Sequence, residues 1–526
     1  MSDRPQAPLP GRRGVLRGAL ATSAALALPA VGGAAAPAFA LSGRPKAGWG
    51  VQAGDVGAHS GLVWVRSDRP ARMVVETSAT GSFKNVTRWR GPLIGPDTDF
   101  TGTTRLRGLP PGEQIHYRVR LADPDDPRRT GEPVEGTFRT ASVSRRDGVR
   151  FLWSGDIAGQ GWGINPDRGG YRVYEDMRAL DPDFFLCSGD NIYADGPILP
   201  SVTLPDGRVW RNVTTEEKSK VAETLGEFRG AFRYNLLDEN LRRFNAQVPT
   251  ITQWDDHEVH NNWYPGQILS DDRYTEKNVD VLSARSLRAF SEYFPVSTLP
   301  PGDADGRVYR VLRQGPLLDV FVLDMRTYRN ANSTGRQTED ATGILGAEQL
   351  AWLKRELSRS RAVWKVIASD MPLGLVVPDG TNFEAVAQGD PGAPLGRELQ
   401  LAELLRHIKH ERITGTLWLT TDVHYTSAQH YEPSNAAYQD FEPFWEFVSG
   451  PLAAGGFKAL KLDGTFGPRQ VFIKAPDRNN TSPAETPPYF GEVEIDGGSG
   501  ELTVRLRQEG GDVLFAQTLQ PGRVGQ

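Results

Sequence analysis

The spacing of hydrophobic positions changes near residue 145. From 45 to 142 they fall in short β-rich runs, at 61–65, 71–76 and 115–121, divided by turn clusters such as Leu109-Pro110-Pro111-Gly112. Short strands with regular turns predict a small β-sandwich. A polar joint at 141–148 comes next, and Val149-Arg150-Phe151-Leu152-Trp153 opens a different rhythm. Continuous apolar runs now alternate with amphipathic ones. They predict strands at 184–187, 248–253, 317–323, 363–368 and 416–420, and helices at 171–180, 216–237, 279–293, 349–358 and 399–407. That is an α/β layout with buried strands and covering helices. Near the end, 490–495 and 502–506 alternate apolar with polar around Gly497-Gly498, which predicts a hairpin. Four stretches carry no periodicity: 196–212, 297–306, 330–342 and 378–394. Loops of that length in a compact domain are functional walls, lids or mobile segments.

The first forty residues stand apart. Arg12-Arg13 precede an alanine-rich, mildly apolar run, and Ala38-Phe39-Ala40 supplies the small residues of a cleavage site. The pattern over 1–40 resembles a twin-arginine export signal. It implies delivery to the periplasm or the medium by the twin-arginine machinery. The run is short and broken by Pro29, so it does not read as a membrane anchor, and the mature chain is expected to have no transmembrane segment. The net charge is −5 over 526 residues. Without residues 1–40 it becomes −8, from 56 basic and 64 acidic residues. With no basic tract, nucleic acid is not expected as the main partner. The single Cys187 rules out an internal disulfide and a thiolate-rich zinc site. It closes the apolar run 183–187 and reads as a core residue.

Three segments place hard ligands straight after an apolar run, where a strand ends and a loop begins. In Ser188-Gly189-Asp190-Asn191-Ile192-Tyr193 the glycine permits a sharp turn, and Asp190 has two oxygens that can bridge two cations. Tyr193 lies three residues on, so a one-turn loop returns its phenol to the same point. A phenolate suits a trivalent ion such as Fe³⁺. A helix N-cap aspartate beside a packed tyrosine gives the same pattern. In Trp254-Asp255-Asp256-His257-Glu258 two adjacent carboxylates repel each other unless a cation is near. His257 is placed to protonate a leaving group or stabilise transition-state charge. Trp254 reads as packing and His260 as solvent-exposed. In Thr421-Asp422-Val423-His424, an extended backbone would put Asp422 and His424 on one side, both within reach of a metal. A satisfied core pair is the alternative.

Taken together, and in this order, the three segments resemble the calcineurin-like metallophosphoesterase superfamily. Tyr193 stands where the second aspartate of Gly-Asp-x-x-Asp would be, as in purple acid phosphatases. Asp256 replaces the asparagine of Gly-Asn-His-(Glu/Asp), and Asp422 replaces the first histidine of Gly-His-x-His. With Trp254 to Asn262 and the preceding sandwich, the chain looks like a PhoD-like alkaline phosphatase/phosphodiesterase. The resemblance spans nearly the whole mature chain. Asp324-Met325-Arg326-x-x-Arg329 also fits a family segment and reads as an internal ion pair. Leu109-Pro110-Pro111-Gly112 with Tyr117-Arg118-Val119 looks like the corner of a fibronectin III-like domain.

The resemblance implies an α/β fold: a metallophosphoesterase β-sandwich flanked by helices at 148–515, preceded by a small all-β fibronectin III-like sandwich at 45–142. It implies Fe³⁺ held by Tyr193, His424 and a ligand from the first strand, with Asp190 bridging to a divalent ion held by Asp256 and Asp422. That ion would be Ca²⁺, or another such as Mn²⁺ or Zn²⁺. A metal-bridging hydroxide would attack phosphorus, with His257 and Asn191 binding phosphate oxygens or assisting the leaving group. The first-strand ligand departs from the family: Asp156 stands where a cysteine is expected, which hardens the site. The glycines of 159–163 are expected to let backbone approach the metals or substrate. Small phosphomonoesters and phosphodiesters are the expected substrates, with phospholipid and teichoic acid-like diesters as further candidates. Two rival readings are a phospholipase D-like phosphodiesterase and a non-catalytic cell-surface binding protein.

Overall fold

The computed structural model describes residues 43–299, 306–339 and 343–522. The export signal expected at 1–40 lies outside the described residues. No helix among them is long and apolar enough to cross a membrane.

Two large sheets carry the fold. The first has nine strands, in the order Val513–Leu519, Leu502–Gln508, Tyr489–Ile495, Val149–Ser154, Phe184–Cys187, Thr250–Thr252, Val51–Gly54, Ser60–Arg66 and Thr101–Arg107. The second has seven: Arg310–Arg313, Leu318–Val322, Trp364–Ala368, Thr416–Thr420, Phe444–Val448, Thr426–Tyr431 and Pro468–Lys474. Their inner faces meet in one core. Phe151, Trp153, Leu186 and Ile251 come from the first sheet; Val320, Val366, Leu417 and Phe447 come from the second. Alternation along each strand sends the next residue outward, where helices cover it. Leu152 and Phe185 thus pack under helices Val173–Ala179 and Glu239–Gln247. Phe321, Ile367 and Trp418 pack under Ala347–Arg359 and Glu398–His410. Strands covered on both faces read as unbroken apolar runs, which is why they were visible in the sequence.

Within the first sheet, 149–154, 184–187 and 250–252 run parallel. Within the second, 318–322, 364–368, 416–420 and 444–448 run parallel. The C-terminal ends of these strands, where α/β folds place ligands, supply the site described below.

The N-terminal sandwich is present but shares a sheet with the rest. A four-stranded sheet, in the order Thr87–Ile94, Ala71–Ser78, Gln114–Ala122 and Val134–Arg139, packs on Val51–Gly54, Ser60–Arg66 and Thr101–Arg107. Those three strands continue the nine-stranded sheet through the parallel pair Gly54–Thr250. A buried ion pair, Arg310 Nη2 to Asp55 Oδ1 at 2.7 Å, and a bond from Trp64 Nε1 to the Glu292 carbonyl at 2.8 Å fix the junction.

One expected helix is shorter than its pattern. Residues 216–224 form turns, and the helix runs Leu225–Asn235. Thr224 is the reason: its hydroxyl accepts from the Glu227 N–H while the Glu227 carboxylate returns to the Thr224 N–H, a capping box that starts the helix there. The closing hairpin gains a third strand, Val513–Leu519, whose mixed polarity hid it.

Candidate metal centre

Asp156 follows strand 149–154, Asp190 follows 184–187, Asp255 and Asp256 follow 250–252, and Asp422 and His424 follow 416–420. The two sheets bring these strand ends together. One set of possible ligand atoms, from Asp156, Asp190 and His424, lies within 4.8 Å of one another. So does a second set, from Asp190, Asp256 and His257, and a third, from Asp255, Asp256 and Asp422. Asp190 belongs to the first two sets, the position of a bridging carboxylate. The Tyr193 phenol stands 2.8 Å from His424 Nε2, which places it on the first set.

The backbone turns sharply at these residues. Asp156 (φ 64°), Asp190 (φ 48°), Asp422 (φ 74°) and His424 (φ 59°) are all left-handed, a conformation non-glycine residues hold only when surroundings enforce it. Asp422 and His424 therefore do not share a face by strand alternation. The strand ends at Thr420, and each side chain reaches a different set. Gly189 (φ 114°) makes the first turn possible, since a Cβ there would lie 2.5 Å from the Asp255 Cβ.

Hydrogen bonds set both imidazoles. The Gly455 carbonyl accepts from His424 Nδ1 at 2.5 Å, so Nε2 presents its lone pair to the first set. Burial lowers the His424 pKa to about 4, which keeps it neutral and able to ligate. His257 Nδ1 donates to Asp195 Oδ1 at 2.8 Å, leaving Nε2 for the second set. Burial disfavours its charge, but Asp195 and Asp256 outweigh that and raise its pKa to about 10. Asp195 is held at about 2 by His257 despite its own burial. It also accepts from the Asn261 N–H.

The acidic groups lack enough positive charge of their own. Burial pushes the carboxyls of Asp156, Asp190 and Asp422 well above the usual range, and neighbouring carboxylates push the same way. Burial acts likewise on Asp256, yet His257 and Arg326 outweigh it and hold its carboxyl low. Both oxygens of Asp156, and Oδ1 of Asp256, are buried without a hydrogen-bond partner. Orphaned carboxylate oxygens facing a shared space are the signature of a cation site. Four carboxylates, a phenol and a neutral imidazole make a hard donor set, suited to high-charge or oxygen-seeking ions and not to soft ones.

Other expectations divide. Asn191 is not in any ligand set: its amide donates to the Gln253 carbonyl and to Glu258, and its oxygen accepts from Cys187 Sγ. These bonds engage both ends of the Asn191 amide. Cys187 is core, as expected. Trp254 packs edge-on against Trp263. His260 is less exposed than expected, its side chain 16% accessible against the Tyr274 ring. Gly159 admits the Tyr193 ring, which a Cβ would meet at 2.4 Å. Its bareness thus serves a metal-side residue and not the substrate.

Several residues escaped the sequence reading. Asp195 orients His257. Glu258 accepts from the N–H groups of Asn191 and Asp255, tying two of the loops together. Arg326, with no exposure, pairs with Asp255 and Glu384 and lies 3.4 Å from Asp370. Asp370 follows the strand 364–368 after one serine, the same apolar-run-then-aspartate signal as the others. The ion pair expected inside the Arg326 segment is replaced by these distant acids, while Asp324 accepts from Trp254 Nε1 and the Arg326 backbone N–H.

Comparison with known proteins decides the family. The model of the PhoD-like phosphatase matches residues 151–506, and that of its N-terminal domain matches 33–142. The chain belongs to the PhoD-like phosphatase family. It is accordingly a phosphoric ester hydrolase, which sets aside the non-catalytic reading. Alkaline phosphatase D of Bacillus subtilis (strain 168) is 26% identical over 449 residues, covering 79% of this chain and 71% of that protein. The fold matches a structure of PhoD with a TM-score of 0.67 at 20% identity, over 93% of this chain and 94% of that one. It also matches purple acid phosphatase PPD1 from yellow lupin (Lupinus luteus) seeds, TM-score 0.56 at 13% identity, over 91% and 74%.

Proposed function

We propose that this PhoD-like phosphatase is exported by the twin-arginine route and hydrolyses phosphomonoesters, phosphodiesters or both at a binuclear metal centre. The observation that carries this reading is Asp190, shared by two ligand sets whose other carboxylates have orphaned oxygens. In this reading Asp156, Tyr193 and His424 would hold Fe³⁺. Asp256 and Asp422, with Asp190 common to the first two sets, would hold a divalent ion, Ca²⁺ by family resemblance, with Mn²⁺ or Zn²⁺ as alternatives. When bound, the two cations supply Lewis acidity toward the phosphoryl oxygens and activate water.

The chain's own contribution is positional and protic. His257, with Nδ1 bonded to Asp195, donates its Nε2 proton to the leaving-group oxygen. Asp195 fixes the tautomer and stabilises the imidazolium. Against burial, Asp195 and Asp256 raise the His257 pKa and keep its proton available for donation. His257→Ala is expected to lower kcat by about 10²- to 10⁴-fold with bound metals retained. Asp195→Asn should lower it less, and its pH profile should shift to lower pH because the imidazolium loses its partner carboxylate. Steady-state kinetics across pH, with metal counts on each variant, check both.

Tyr193 gives an optical readout. Tyrosinate bound to Fe³⁺ is expected to give a broad visible absorption, and Tyr193→Phe should remove it while leaving the fold intact by circular dichroism. The function itself is tested by assaying p-nitrophenyl phosphate against its bis ester, with and without chelator. Chelator-sensitive cleavage supports the reading. Cleavage of neither ester by the metal-loaded chain overturns it, and the ratio of the two rates distinguishes monoesterase from diesterase.

A further inference from the structure

Behind the third ligand set lies a buried cluster of three arginines that the chemistry above does not use. Arg326 bonds Asp255 Oδ1 through Nε at 2.6 Å and Glu384 Oε1 through Nη1. Its Nη2 lies 3.9 Å from Asp256 Oδ1 and 3.9 Å from Asp422 Oδ1, two of the proposed ligands. Glu384 stands at the base of one of the aperiodic loops. Its carbonyl accepts from Arg329 and Arg397, whose side chains also share Asn332 Oδ1 at 2.9 and 2.8 Å. The Glu384 N–H donates to Val377 and the Phe383 N–H to Ser333, closing the loop around the short hairpin Pro378–Asp379 and Asn382–Phe383. At its tip, Gly380 and Thr381 are exposed.

We propose that Arg326 is a positioning residue that couples occupancy of the divalent site to the order of the loop 377–388. The guanidinium is shared between two groups of acids. Asp255, Asp256 and Asp422 draw it toward the ligand set, while Glu384 draws it toward the loop. A divalent ion among Asp256 and Asp422 cancels the first attraction and repels the guanidinium, so its bond to Glu384 strengthens. Coupling is reciprocal: if the ion orders the loop, the anchored loop raises affinity for the ion by the same factor. The inference rests on the binuclear reading.

The test uses the iron-containing full chain titrated with Ca²⁺, read by hydrogen exchange at the Phe383 and Glu384 amides and by calorimetry. In the wild type, exchange at both amides should slow about 5-fold or more on Ca²⁺ binding, the low end of usual coupling. In Glu384→Gln, Ca²⁺ should bind about 5-fold more weakly and exchange should no longer respond to it. Ca²⁺ binding to the wild type without any change in exchange overturns the coupling and leaves the metal centre standing. An equal response in Glu384→Gln also overturns the coupling. Where Ca²⁺ does not bind, Mn²⁺ and Zn²⁺ are titrated in the same way, and a wild type that binds none of the three overturns both. The wild-type arm alone is decisive if the variant does not fold.

Discussion

Asp190→Asn is expected to remove hydrolysis by a factor on the order of 10⁴ or more, about 5.4 kcal/mol of barrier, and at the same time to stabilise the metal-free chain. The two effects have one origin. Asp190 contributes to two ligand sets, so its loss opens both ends of the centre. Without cations, however, its charge is a burden, because it is buried beside Asp256, Asp255 and Asp156. A carboxyl whose folded pKa is raised holds its proton more tightly in the native state than in the unfolded one. Stability of the metal-free wild type therefore falls as pH rises above the ordinary carboxylate value of 3.8. Asp190→Asn should flatten that slope. With metals bound the order reverses, since binding to the native state alone stabilises it. Denaturant midpoints at pH 5 and 8, with and without chelator, read all four cases. A metal-free variant no more stable than the metal-free wild type would contradict this electrostatic account.

Arg326→Met is expected to give the largest loss of stability, about 3–5 kcal/mol, because it strands acids already removed from water. Arg326 has no solvent exposure, and Asp255, Glu384 and Asp370 around it are at most 2% exposed. A loss of this size is a large fraction of the total stability of a typical domain. It should appear as a lower denaturant midpoint with an unchanged slope. Conversion of Arg326 together with Asp255 to apolar residues should recover part of it, since buried pairs cost most when only one partner is removed. An unchanged midpoint in Arg326→Met would mean that water reaches these acids.

The ligand sets were legible because a parallel strand covered on both faces is a short apolar run, and its first polar residue afterwards marks the ligand edge. That rule gave the stretches with Asp190, Asp256 and Asp422, the family resemblance added Asp156, and the rule applied again gives Asp370. The partition between sets came from the family resemblance and not from periodicity. It depends on left-handed φ angles at Asp422 and His424, which periodicity does not encode. Asp195 and Glu384 were missed for a different reason. Each acts across about sixty residues of sequence, Asp195 on His257 and Glu384 on Arg326, from segments without a repeating pattern. The partners that engage the Asn191 amide, the Gln253 carbonyl and Glu258, lie 62 and 67 residues on and left no local signal. The helix expected from 216 carried its own correction in Thr224-x-x-Glu227.

The central claim is that two cations occupy the carboxylate, phenol and imidazole sets at the strand ends. Elemental analysis of the purified, active full chain tests it most directly. The account predicts one iron and at least one divalent ion per chain, lost together with activity on chelation and regained together on reloading. A folded chain that hydrolyses phosphoesters with no bound metal would contradict it.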